Sequence, residues 1–92
     1  MITIKLYANL REIAGQGCIE VPFEYGGTVR DLVEAIRKTY PKLADRLVGP
    51  DGRLTGLANV MVDGRNVVWL QDLDTVIQPG AQVDLIPPAA GG

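Results

Sequence analysis

Thr28-Val29-Arg30-Asp31-Leu32-Val33-Glu34-Ala35-Ile36-Arg37-Lys38-Thr39-Tyr40-Pro41 is the stretch that decides the fold. Val29, Leu32, Val33, Ile36 and Tyr40 recur at helical spacing, and Arg30, Asp31, Glu34, Arg37 and Lys38 take the other side. The segment therefore reads as an amphipathic helix. Gly26-Gly27 breaks the chain before it, and Thr28 stands as the N-cap. Asp31 takes the acidic place of a capping box, where its charge also suits the helix N-terminus. Pro41 disfavours helical geometry at Tyr40 and predicts the stop. Lys42–Val48 has room for one more helical turn through Leu43 and Leu47.

Outward from this helix the chain reads as strands and turns. On the N-terminal side, Ile2, Ile4, Leu6 and Ala8 alternate with Thr3, Lys5 and Tyr7, which predicts a strand. Asn9–Ala14 reads as a short turn of helix closed by Gly15. Cys18 to Phe23 reads as a second strand, with Ile19, Val21 and Phe23 on one face, pairing antiparallel with the first. On the C-terminal side, Gly49-Pro50-Asp51-Gly52 is a turn and Ala58–Val62 a strand. Asp63-Gly64 is a hairpin turn, with Asn66-Val67-Val68 as the returning strand. Leu70–Thr75 is irregular, with Leu73 as a core plug, and Pro79-Gly80 turns into a last strand, Val83–Ile86. Pro87-Pro88 ends that strand, because proline cannot donate to a ladder.

One long helix against four or five strands predicts an α+β domain of the β-grasp arrangement. A mixed four- to five-stranded sheet is crossed by one main helix, and the first and last strands run parallel at its centre. A ferredoxin-like fold needs a second full helix, and Lys42–Val48 is short for one. Residues 1–86 are expected to form a single domain and 87–92 an extended tail.

Composition excludes several function classes. Apolar residues are 47% and charged residues 22% of the 92, which fits a packed domain rather than a disordered chain. Nine basic against eleven acidic residues leave a net charge of -2, so a phosphate-gripping nucleic-acid surface is not expected. The chain has no histidine, which removes the commonest general base and metal ligand and every Ser-His or Cys-His pair. Its single cysteine, Cys18, can form neither an internal disulfide nor a multi-cysteine zinc site. No apolar run approaches a membrane span, and the N-terminus lacks a signal-peptide layout. The expectation is a cytoplasmic protein that binds no metal or cofactor and no membrane.

The chemistry points to Pro87-Pro88-Ala89-Ala90-Gly91-Gly92. Side chains shrink toward the end, and no side-chain charge appears. Two prolines stiffen the base and two glycines leave a thin tip. Fully extended, six residues reach about 20 Å from the body, enough to thread a channel and present a carboxylate elsewhere. The competing reading is a frayed end. Alternation supplies a candidate docking patch. If Ile4, Leu6, Val60, Val62, Val83 and Leu85 face the helix, then Tyr7, Met61 and Ile86 fall on the opposite face. That patch docks a partner, or a loop or second copy covers it. Cys18 reads as an ordinary edge or buried thiol, Trp69 as packing at the sheet rim, and the Arg30–Lys38 charges as a solvated face. Asp51, Asp63, Asp72 and Asp74 read as turn residues without calcium-loop spacing.

Together these features resemble the ubiquitin-like sulfur carriers of the MoaD/ThiS type. The resembling stretches are Tyr7–Gly15, Asn59–Gly64, Leu73-Asp74-Thr75, Pro79-Gly80 and, above all, Leu85–Gly92. The resemblance covers essentially the whole chain, and in length it is nearer to the molybdopterin synthase small subunit and its archaeal modifier relatives than to the shorter thiamine carriers. It implies that Gly92 is adenylated by an ATP-using E1-like enzyme of the MoeB/ThiF type. A sulfur donor such as a cysteine desulfurase or rhodanese then leaves a Gly92 thiocarboxylate. The implied acceptor is a molybdopterin synthase large subunit of the MoaE type, so this chain acts as a sulfur-carrying co-substrate without catalysis of its own. Pro87, Pro88, Ala89, Ala90 and Gly91 are the implied threading stem. Sulfur donation for tRNA thiolation, or attachment of Gly92 to protein lysines as a modifier, uses the same activated tail. A plain binding module with an inert tail is the remaining reading.

Overall fold

The computed structural model describes residues 1–88. Five strands form one mixed sheet: β1 (Ile2–Leu6), β2 (Cys18–Val21), β3 (Asn59–Val62), β4 (Arg65–Asn66) and β5 (Val83–Ile86). Their order is β2-β1-β5-β3-β4, with β1 and β5 parallel and the other neighbours antiparallel. This is the expected β-grasp arrangement, with the first and last strands side by side at mid-sheet. Three helices accompany it: α1 (Asn9–Ala14), α2 (Val29–Thr39) and α3 (Pro41–Leu47).

Alternation along the strands builds the core. Ile2, Ile4 and Leu6 of β1, Val60 and Val62 of β3, and Val83 and Leu85 of β5 are buried on one face. Val29, Leu32, Val33 and Ile36 of α2 close over them. Each such side chain stabilises the fold by about 1.5–3 kcal/mol through removal of apolar surface from water. The N-terminus of α2 carries the expected capping box. The Asp31 N–H donates to Thr28 Oγ1 at 3.3 Å, and the Thr28 N–H donates to Asp31 Oδ2 at 3.0 Å.

Three elements depart from the sequence reading. The further helical turn expected after the main helix is a seven-residue helix that starts at Pro41 itself. Pro41 ends α2 and also occupies the first position of α3, where its missing N–H costs nothing. Leu43, Ala44 and Leu47 of α3 are then fully buried. The second strand stops at Val21, opposite Ile2, where β1 itself begins. The returning strand after Asp63-Gly64 spans only Arg65–Asn66. Asn66 Oδ1 accepts the Val68 N–H at 3.1 Å and turns Val67–Trp69 into a 3₁₀ segment before the ladder can continue. That turn buries Val67 and leaves Trp69 85% exposed, so Trp69 does not pack at the rim.

The ion pairs are marginal to stability. Arg37 meets Asp45 at 2.8 Å and Arg30 meets Asp74 at 3.3 Å, but all four side chains remain partly or largely exposed. Among the described residues, no helix is long and apolar enough to cross a membrane.

The capping box generates a stability prediction. Thr28→Ala removes the hydroxyl acceptor and is expected to cost about 1 kcal/mol. Urea denaturation with an unchanged slope checks it; an unaltered midpoint means the cap contributes nothing.

Candidate functional site

The candidate site is the root of the tail, and β5 positions it. Val83 and Leu85 point into the core, which leaves Asp84 and Ile86 on the outer face, half-buried. β5 is held on both sides, by β1 with Leu6 opposite Leu85 and by β3 with Asn59 opposite Ile86. The Tyr7 N–H extends the parallel ladder by one bond to the Leu85 C=O, at 3.2 Å. The chain thus leaves the sheet at Ile86 from its central strand. Pro87 is half-buried and Pro88 exposed. Ala89, Ala90, Gly91 and Gly92, the rest of the expected threading stem and its reactive end, lie outside the described residues.

Strand parity puts Met61 and Ile86 on the outer face, and Tyr7 follows β1 with the same parity. All three are half-buried. The ladders set them in two rows. Tyr7, Ile86 and Asn59 adjoin the tail root. The next row runs Cys18, Lys5, Asp84, Met61, Asn66 across all five strands. Asp84 accepts a hydrogen bond from Gln82 Nε2 at 3.0 Å. The exposed thiol of Cys18, remote from the tail in sequence, is therefore two strands from Asp84.

Sequence reasoning missed Ala8. Its backbone sits at φ 52°, ψ -131°, a region that glycine tolerates and alanine does not. The geometry has a purpose. β1 must stop beside Leu85, and the chain must then reverse so that α1 can drop Leu10 into the end of the core, where it is fully buried. The Leu10 N–H donates to the Tyr7 C=O at 3.1 Å, across the reversal. An alanine in a strand pattern carries no signal of such a bend.

Nothing near the tail root constitutes a self-contained reactive centre. No group of three or more His, Cys, Asp or Glu side chains that could hold a metal occurs among the described residues. A cleft of about 560 Å³ lies beside β3, between the Gly52–Gly56 loop and the 3₁₀ segment. Its charged lining residues are Arg30, Arg53 and Asp72, without a nucleophile–base pair.

The model of the ThiS family matches residues 4–92. Small archaeal modifier protein 3 of Haloferax volcanii is 34% identical over 91 residues, covering 99% of this chain and 98% of the relative. A protein of Archaeoglobus fulgidus, provisionally named a sulfur carrier, is 30% identical over 91 residues, covering 99% and 98% respectively. A solved structure from Pyrococcus furiosus, provisionally described as subunit 1 of a molybdopterin converting factor, superposes with a TM-score of 0.72. That chain is 30% identical, with 95% of each chain covered.

Relief of the bend at Ala8 is expected to stabilise the protein. Ala8→Gly removes backbone strain while adding freedom to the unfolded chain, for a net gain of about 1 kcal/mol. A raised denaturation midpoint is the expected outcome. A lowered one means that Ala8 is not strained.

Proposed function

This chain belongs to the ThiS family of small ubiquitin-like sulfur carriers and modifiers, and from that membership we propose that it works as the sulfur-carrying small subunit of a molybdopterin synthase. The observation that carries the reading is the tail root. A strand bonded on both sides, in mid-sheet, ends in Ile86-Pro87-Pro88, and Pro88 is exposed.

In this reading, ATP on an E1-like partner of the MoeB/ThiF type converts the Gly92 carboxylate to an acyl-adenylate, releasing pyrophosphate. A free carboxylate is a poor electrophile, and the adenylate supplies a leaving group. The persulfide of a desulfurase- or rhodanese-type donor displaces AMP to give an acyl disulfide, and a reducing thiol then takes the donor's cysteine into a disulfide and leaves the thiocarboxylate. The MoaE-type large subunit then takes that sulfur into the pterin. This chain contributes no acid, base or metal; it contributes geometry. Pro87 and Pro88 hold the stem extended, Ala89, Ala90 and Gly91 pass a narrow channel, and Gly92 carries the sulfur. The apolar contacts of Tyr7, Met61 and Ile86 dock the partner beside the channel mouth. The resemblance to a molybdopterin converting factor subunit at 30% identity supports this acceptor.

The 34% identity to a small archaeal modifier protein favours a second reading. There, the same activated Gly92 is joined to lysines of other proteins.

Mass spectrometry of the C-terminal peptide separates the two. The full chain is incubated with host extract, ATP and a sulfur source. An oxygen-to-sulfur mass gain on the fragment ending in Gly92 is the expected result, and deletion of Gly91-Gly92 abolishes it. Gly92 appearing only in isopeptide links to lysine would establish the modifier instead. The docking face has its own test: Met61→Arg is expected to weaken the complex with the adenylating partner at least about tenfold while the domain stays folded. Undiminished affinity removes this face from the interface.

A further inference from the structure

The end of the sheet opposite the tail root has a free strand edge that opens into a groove. β2 stands first in the strand order and, among the described residues, pairs only with β1. The Leu6 N–H bonds the Gly17 C=O at 2.9 Å. Alternation from that bond turns the backbone groups of Ile19 and Val21 toward β1, and those of Cys18 and Glu20 toward the free side. Such an edge is a template for another strand.

Beyond Val21 the edge runs into a groove of about 660 Å³ between the Pro22–Gly27 segment and α2. Asp31, Glu34, Ala35 and Lys38 form the helix wall, one stripe at helical spacing. Ala35, mid-stripe, is too small to fill the space. Phe23 and Tyr25 form an apolar floor, edge to face, with ring centroids 6.0 Å apart. Gly27 keeps the floor low: a Cβ there would come within 3.2 Å of the Phe23 ring.

The charges select the occupant. Glu24, Asp31 and Glu34 rim the groove, and Glu20 stands exposed on the outer face of β2. The cations facing them are Lys38 at the groove end and Lys5, opposite Cys18 in the ladder. Arg37 approaches Glu34 only at 3.9 Å.

We propose that this edge and groove form a second docking site, for an extended segment of a partner protein in which lysine or arginine alternates with apolar residues. The segment adds to β2 as a sixth strand through the backbone groups of Cys18 and Glu20. Its apolar side chains turn to the α2 side and settle over Phe23, Tyr25 and Ala35. Its cations turn to the outer face beside Glu20, and at the groove end meet Glu24 and Glu34. Ile2 pairs with Val21 at the groove end of this site, one strand length from the tail root, where Leu6 pairs with Leu85; its Cys18 end lies in the row next to the tail root.

The test is an NMR titration of the full chain with acetyl-Lys-Val-Lys-Val-Lys-amide, and with its Glu-for-Lys counterpart. The expected result is a set of amide shifts confined to residues 18–27 and 31–38, caused by the basic peptide only and weakened by salt. The combined variant Glu20→Gln, Glu24→Gln, Glu34→Gln is expected to lower the affinity at least about tenfold while its spectrum stays that of the folded chain. No shifts with the basic peptide, equal shifts with the acidic one, shifts centred on Tyr7, Met61 and Ile86, or undiminished affinity in the variant would each overturn the proposal.

Discussion

The parallel pairing of β1 with β5 is the constraint that organises the molecule. It sets residues from near the two ends of the chain beside one another, with Ile4 opposite Val83 and Leu6 opposite Leu85. Parallel neighbours cannot be joined by a tight turn, so the intervening chain has to cross one face of the sheet. α2 lies on that crossing and supplies Val29, Leu32, Val33 and Ile36 to cover the inward side chains. The outer face is left to polar and half-buried groups. The same pairing, together with β3 on the other flank, satisfies both backbone sides of β5 and so fixes the direction in which the chain leaves at Ile86.

In the proposed reading, that fixed direction is what lets a chain so poor in reactive groups take part in chemistry. It has no histidine and one thiol, and several of its carboxylates serve caps and turns. Asp31 caps α2, Asp51 Oδ1 accepts the Arg53 N–H, and Asp63 Oδ1 accepts the Gln82 N–H. In the proposed reading the carrier supplies delivery rather than catalysis. The reversal at Ala8 ends β1 at the point where Tyr7 meets Leu85.

The deviations from the sequence reading share one origin, competition decided by neighbours. Pro41 is both a helix terminator and a good first helical residue. Burial of Leu43, Ala44 and Leu47 against α1 and α2 decided for a new helix. Asn66-Val67-Val68 has strand-forming residues, yet one hydrogen bond from the Asn66 side chain diverts the backbone after Asn66. The buried place then goes to Val67, and Trp69 is turned out to solvent. Periodicity cannot report this, because a local side-chain bond and a ladder bond offer the backbone similar satisfaction.

Residue order was enough to dictate the inward and outward faces of β1, β3 and β5, the capped start of α2, and the class of fold. Each of these rests on the spacing of apolar residues and on local hydrogen bonds within a few positions. The composition also directed attention to Pro87–Gly92 as the seat of the chemistry, because no other stretch offered a reactive arrangement. Folding in three dimensions was needed for the cross-sheet row that sets Cys18 near Asp84, the bend at Ala8, and the groove between the end of β2 and α2. Those depend on which strands become neighbours and on where a chain must turn to let them meet. Registers between residues far apart in the chain are set by packing of the whole core, and no local pattern encodes them.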